Sequence, residues 1–359
     1  MRASPRSSLR RSVSDTALRL FVHKHDWCPG MLLKSPRVHN HLTIRPSEER
    51  VHFVSPAIPW TVLFMLWTLG SVAAFTIANQ RHLALTVAIP IAAAFLVELT
   101  FLVIVKRMVS LGPAVWFASG VAPYLVLTLP IGLFQWWTAV LLIVSAFSVC
   151  FWLCSLDPKW DWAFLTLLAA LLLLTPKFYP EVLNLKVPVL GRLTWFRLGV
   201  TSILAFRNHE RLNFGFWPTR REWWIGARSL LLVFPVAVAL NAIFPVAHFR
   251  IVPGYWWKTP GYFFAFLWTV GLSEEVLTRG LLLEWIRKRA GLPAAVVLSS
   301  LLFGTAHLWF REFPNYGFAA LASIVGASYA LAYLTGCGVR ASTVSHAFMV
   351  TLWKVFFSG

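Results

Sequence analysis

Two adjacent carboxylates, Glu274 and Glu275, and a guanidinium, Arg279, interrupt the apolar run FFAFLWTVGLSEEVLTRGLLLEWI, residues 263 to 286. A charge in the middle of a membrane helix costs roughly 2.5 to 3.5 kcal/mol on insertion scales, and pairing offsets only part of it. On an α-helix Glu275 and Arg279 lie four residues apart with the acid nearer the N-terminus, the favourable order for an ion pair. Neighbouring helical residues point about 100° apart, so Glu274 is expected to face away from that partner. A carboxylate left alone in a low-dielectric site suits a general base. The competing explanation is a juxtamembrane ion pair, since Arg287 is close by.

Two histidines follow in separate apolar segments. In FGTAHL, Phe303 and His307 share a helical face at i and i+4, and in VSHAFMV, His346 sits just inside the last apolar run. Either histidine alone fits a packing role equally well. A glutamate pair and two histidines on three helices of one bundle are, together, the parts of a water-activating hydrolase. They could also form a metal site, because Glu274, His307 and His346 with an open position would suit zinc. No HExxH motif is present: His209 and Glu210 are followed by RLNF. The four cysteines, Cys28, Cys150, Cys154 and Cys337, lack metal or disulfide spacing and read as small apolar residues.

Something must hold these groups in place, and the composition says what. Of 359 residues, 58% are hydrophobic and only 13% charged, with a mean hydropathy of +0.68. That is too apolar for a soluble domain, and runs of about 20 such residues can cross a bilayer as helices. The expected fold is all-α: a polytopic transmembrane helical bundle of ten or eleven spans. The spans fall near 59–79, 82–105, 112–131, 134–155, 162–176, 223–246, 261–285, 292–309, 316–335 and 341–358. A weaker segment, 188–206, is broken by Arg192 and Arg197 and reads as interfacial. Small residues recur at helical spacing in one late span (Ala319, Ser323 and Ala327, with Ala322, Gly326 and Ala330 beside them), which lets membrane helices pack closely. On this topology Glu274 lies mid-membrane, His346 near the cytoplasmic face and His307 toward the far side of its span.

The organisation divides into a basic, disordered cytoplasmic tail (1–50), an N-terminal transmembrane region without an assigned role (51–206) and a catalytic bundle (207–359). The net charge of +18 gathers in the tail and in short turns, as the positive-inside rule distributes it. That pattern argues against a nucleic-acid partner. It puts the N-terminal tail on the cytoplasmic side of a multi-pass protein, expected in the plasma (inner) membrane.

The segments SEEVLTRGLLLEWI, SSLLFGTAHL and AYLTGCGVRASTVSHAF resemble the three ordered motifs of the CPBP family, the CAAX prenyl endopeptidase and bacteriocin-processing intramembrane proteases. The family patterns are EExxxR, FxxxH and HxxxN, and the similarity covers about 210 to 359. The resemblance implies a glutamate-dependent endopeptidase that needs no cofactor and acts on a peptide or protein substrate. Lipid-modified substrates are the family's best-known class. It further implies that Glu274 is the general base, assisted by His307, with Glu275 and Arg279 bracing the site and Phe303 supporting it. His346 would stabilise the oxyanion. Val350 stands where the family usually has Asn, and valine cannot donate a hydrogen bond. Losing one oxyanion donor typically costs about 10² to 10³ in rate. Thr351, Ser342 and Ser345 are candidate substitutes. The departure keeps a second class open, a non-catalytic membrane scaffold or immunity-type factor. Transport is a weaker reading, as no inverted repeat is evident.

Overall fold

The computed structural model describes residues 85–179, 188–206, 215, 217–310 and 312–358, all of them helical or in short connections apart from one small strand pair. The tail 1–50 and the expected first span, 59–79, lie outside the described residues. The described residues all belong to one compact unit.

Its first part contains α1 (Leu85–Leu111), α2 (Pro113–Thr128), α3 (Trp136–Ser155) and α4 (Asp161–Leu174). The next helix, α5, starts as Pro188–Trp195, widens into a π turn over Phe196–Val200 and closes with Thr201–Phe206. A cluster of Ile91, Tyr124, Leu127, Leu142, Tyr179 and Leu190 forms the core here. The second part begins with α6 (Arg220–Ile243), opened by a capping box in which Thr219 and Glu222 satisfy each other's backbone donors. Helix α7 (Tyr255–Phe266) runs through a π turn (Leu267–Gly271), one α-turn (Leu272–Glu275) and a second π segment (Val276–Leu283) into α8 (Glu284–Thr305). Finally come α9 (Tyr316–Gly336) and α10 (Val339–Phe356). Strands β1 (His248–Phe249) and β2 (Phe357–Ser358) pair antiparallel, tying the loop before α7 to the end of α10.

Gly291 breaks α8 with φ 82°, a left-handed conformation open to glycine, just before Pro293. This is the turn that the sequence places between the spans ending at 285 and starting at 292. Three of the described helices, Trp136–Ser155, Arg220–Ile243 and Tyr316–Gly336, are long and apolar enough to cross a membrane, and Thr86–Leu102 and Ala114–Thr128 are shorter apolar helices. Along α3 the side chains of Val140, Val144, Phe147 and Phe151 are exposed. A band of that kind suits lipid rather than water. The chain is a helical membrane protein.

The structure corrects the reading of the segment 188–206. Arg197 is fully buried, not interfacial, and pairs with Glu98 at 2.7 Å, whereas Arg192 is exposed. The partner stands 99 residues earlier in the chain, beyond the reach of any local pattern, and a guanidinium so matched can leave the interface.

The small-residue line of α9 works as spacing suggests. A methyl group on Gly304 of α8 would fall 1.9 Å from Ser323 Oγ and 2.4 Å from the Ala319 carbonyl, so the two helices touch through glycine. Likewise Gly226 of α6 leaves no room against Val344 and the Ala341 carbonyl of α10.

Candidate active site

The stretch between α7 and α8 carries Glu274 and Glu275 on its α-turn and Arg279 on its second π segment, and α8, α9 and α10 close around it. The guanidinium of Arg279 has no solvent exposure and donates to Glu275 Oε1 at 3.1 Å, to the Thr278 hydroxyl and to the Gly326 carbonyl at 2.6 Å. Its charge also lies over the rings of Phe303 (4.7 Å) and Tyr329 (5.4 Å), a favourable setting for a desolvated cation. Gly326 admits this arrangement. A Cβ there would stand 3.0 Å from both Arg279 Nη2 and a Phe303 ring carbon.

His346 occupies the space between the two glutamates. Its Nδ1 lies 2.9 Å from Glu275 Oε1 and its Nε2 3.8 Å from Glu274 Oε2. Glu275 is held by Arg279 and acts as the acceptor, so Nδ1 carries the proton and Nε2 points at Glu274. Tyr329 stacks on the imidazole with centroids 4.6 Å apart and planes within 15°, and Phe303 meets it edge-on at 5.7 Å. Glu274 takes no part in the Arg279 pair, as α geometry implies. It addresses the other nitrogen of the same ring while its side chain stays 32% exposed. Glu274 Oε2, Glu275 Oε2 and Arg279 Nε are buried without a hydrogen-bond partner.

His307 sits one aromatic layer away. It lies in the turn just past the end of α8, where Nδ1 bonds the Phe303 carbonyl at 2.8 Å. A carbonyl only accepts, so Nδ1 holds a proton and donates it there. The ring packs on Phe303 at 4.7 Å and on Phe318 at 5.7 Å. Among the described residues it makes no direct bond to Glu274 or His346. Phe303 is therefore the common neighbour of His307, His346 and Arg279. No three His, Cys, Asp or Glu side chains among the described residues gather in a set able to hold a metal, the trio Glu274, His307 and His346 included.

On α10, Val350 is partly buried, and the hydroxyls proposed to replace its missing donor differ in availability. Thr351 bonds the Ala347 carbonyl at 2.6 Å and Ser342 the Val339 carbonyl at 2.9 Å, so both are spent on their own helix. Ser345 is buried with its hydroxyl unpartnered. Two further contributors escaped the sequence reading. Tyr329 lies in a helix whose sequence signal is its small residues, and Thr278 carries no signal because hydroxyls in apolar helices usually bond their own backbone, as this one does to Glu274 O.

Residues 256–352 match the family model described as "Rce1-like: Type II CAAX prenyl endopeptidase Rce1-like". The matched segment contains every motif position discussed above but starts after α6, a shorter reach than the 210 to 359 suggested by the sequence motifs. No curated protein and no solved structure gives a significant match.

Proposed function

We propose that the chain is an intramembrane endopeptidase in which Glu274 activates the attacking water. The observation that carries this reading is the position of His346, bonded to braced Glu275 through one nitrogen and facing partly exposed Glu274 through the other. In the proposed cycle a water gives a proton to Glu274 as its oxygen bonds to the scissile carbonyl carbon. The resulting tetrahedral oxyanion collapses, the C–N bond breaks, and the departing amine takes the proton back from Glu274. Glu275 and Arg279 keep the His346 ring fixed, and a fixed donor or dipole is worth most in a water-poor site. With Nδ1 donating to Glu275, His346 Nε2 accepts from the water and orders it, and it can steady negative charge only when a second proton makes the ring an imidazolium. His307 acts at one remove: it bonds the Phe303 carbonyl and packs on the ring that faces His346 and Arg279. The similarity to type II CAAX prenyl endopeptidases over 256–352 supports a lipid-modified peptide as the substrate class.

Val350 favours a second reading, a non-catalytic member of the same fold. It removes one side-chain donor, and the bonded hydroxyls of Ser342 and Thr351 do not replace it. A peptidase assay on the full chain in detergent separates the two. Wild type should cleave a prenylated peptide with or without chelator, and Glu274→Gln should not. Wild type without activity would assign the chain to the non-catalytic class, and loss of activity only with chelator would assign it to metal chemistry.

A further inference from the structure

A groove of about 460 Å³ opens between α6 and α10, lined by Arg220, Trp223, Trp224, Ala227 and Phe348. It contains none of the glutamates or histidines of the candidate active site. Its wall is aromatic: Phe348 packs on Phe263 at 4.4 Å and Trp223 on the same Phe263 at 5.6 Å. Trp224 is 67% exposed at its lip. Tryptophans in such positions sit at the level of lipid headgroups.

The charge at one end is out of balance. Arg220 and Arg221 occupy the first turn of α6, where the helix's own amide dipoles are positive and cations are disfavoured. The acid of that turn, Glu222, is buried and turned inward onto Arg340 (3.0 Å) and the Thr219 cap. Arg220, Arg221 and Arg228 are exposed and have no carboxylate partner among the described residues. An apolar trough with an unneutralised cationic end matches a molecule that is oily along its length and anionic at its head.

We propose that this groove is a binding site for an anionic membrane phospholipid. The phosphate would lie against Arg220, with Arg221 beside it, and an acyl chain would run along Trp223, Trp224, Ala227 and Phe348. The site is independent of the peptidase reading, since it needs neither Glu274 nor His346.

Native mass spectrometry of the full chain in detergent, titrated with phosphatidylglycerol or phosphatidylcholine, tests it. Wild type should bind phosphatidylglycerol roughly tenfold or more tightly, the scale expected for two arginines near an anionic headgroup. The double variant Arg220→Gln with Arg221→Gln should lose that preference. Ala227→Trp, which fills the trough, should lose both lipids, and Glu274→Gln should bind as wild type does. Equal affinity for the two lipids in wild type, or a preference that survives the arginine variant, would overturn the proposal. So would one-for-one displacement of the phospholipid by a prenylated peptide, which would give the groove to substrate.

Discussion

Among the described residues two carboxylate–guanidinium pairs are fully buried, and they are finished to different degrees. Around Arg197, Nε and Nη2 grip both oxygens of Glu98, while Nη1 and Nη2 reach the hydroxyl and carbonyl of Ser119. Thr194 adds a bond to Glu98 and receives the Tyr179 hydroxyl. Neither charged side chain keeps an unpartnered nitrogen or oxygen. Around Arg279 the pairing is thinner. One oxygen of Glu275 takes both the arginine and the histidine, its other oxygen takes nothing, and a second carboxylate stands close by. Both arginines lie in π-widened turns, so that widening goes with seating a buried guanidinium here and does not by itself mark a reactive site. What distinguishes the second pair is unspent hydrogen-bonding capacity beside a partly exposed acid.

Removing one acid from each region should break the comparison most sharply. Glu274→Gln should lower peptide cleavage by about 10³-fold or more, the scale of about 4 kcal/mol, with no fall in thermal unfolding temperature. Cleavage at the wild-type rate would detach Glu274 from the chemistry. Glu98→Ala should do the opposite. It strands Arg197 in the core, and breaking a buried pair in this way costs about 3–5 kcal/mol, read as loss of monodisperse protein on gel filtration. The double change Glu98→Leu with Arg197→Met should recover most of that loss, because an apolar replacement of both partners is often neutral. A double variant as unstable as the single one would mean that the pair does more than fill its own valences.

The regions also differ in how far the sequence discloses them. Glu275 and Arg279 are readable because the acid and base sit one turn apart, and the EExxxR, FxxxH and histidine spacings survive the π-widening that ideal α geometry does not anticipate. Glu98 and Arg197 are not readable, since each looks like an isolated defect in an apolar run until folding brings α1 and α5 together. The same limit hid Tyr329, whose stacking on His346 depends on how α9 and α10 dock and on no local motif. Helix identity and most limits of the described helices were legible from hydropathy alone. The relation of Glu274 to His346 was not, because it depends on how α10 docks against the turn that carries both glutamates.

A smaller effect sharpens the picture of the looser pair. Gly326→Ala puts a methyl group where Arg279 Nη2 and Phe303 leave only 3.0 Å. Overpacking of this kind costs about 1–3 kcal/mol, and here it would push the guanidinium off Glu275. Cleavage should fall along with unfolding temperature, whereas Gly120→Ala, crowding Ala146 in the other region, should lower stability alone. Equal loss of activity in both variants would show that the two regions are coupled more tightly than their separate networks suggest.

The least change is expected at Val350, and its sign carries the information. It stands one helical turn beyond His346, and neither Thr351 nor Ser342 offers a free hydroxyl nearby. If the oxyanion is held by His346 alone, Val350→Asn adds a donor to a site that lacks one, and cleavage should rise by up to about tenfold or stay level, well short of the 10²–10³ that losing such a donor costs elsewhere. The gain is limited because an added amide must also lose its own solvation on entering a largely apolar pocket. A large fall would instead mean that Val350 packs against substrate and that the negative charge is stabilised from another direction. Ser345→Ala then becomes the deciding measurement, since Ser345 holds a buried hydroxyl on α10 without a partner. Activity lost in Ser345→Ala but kept in Ser342→Ala would locate the donor there.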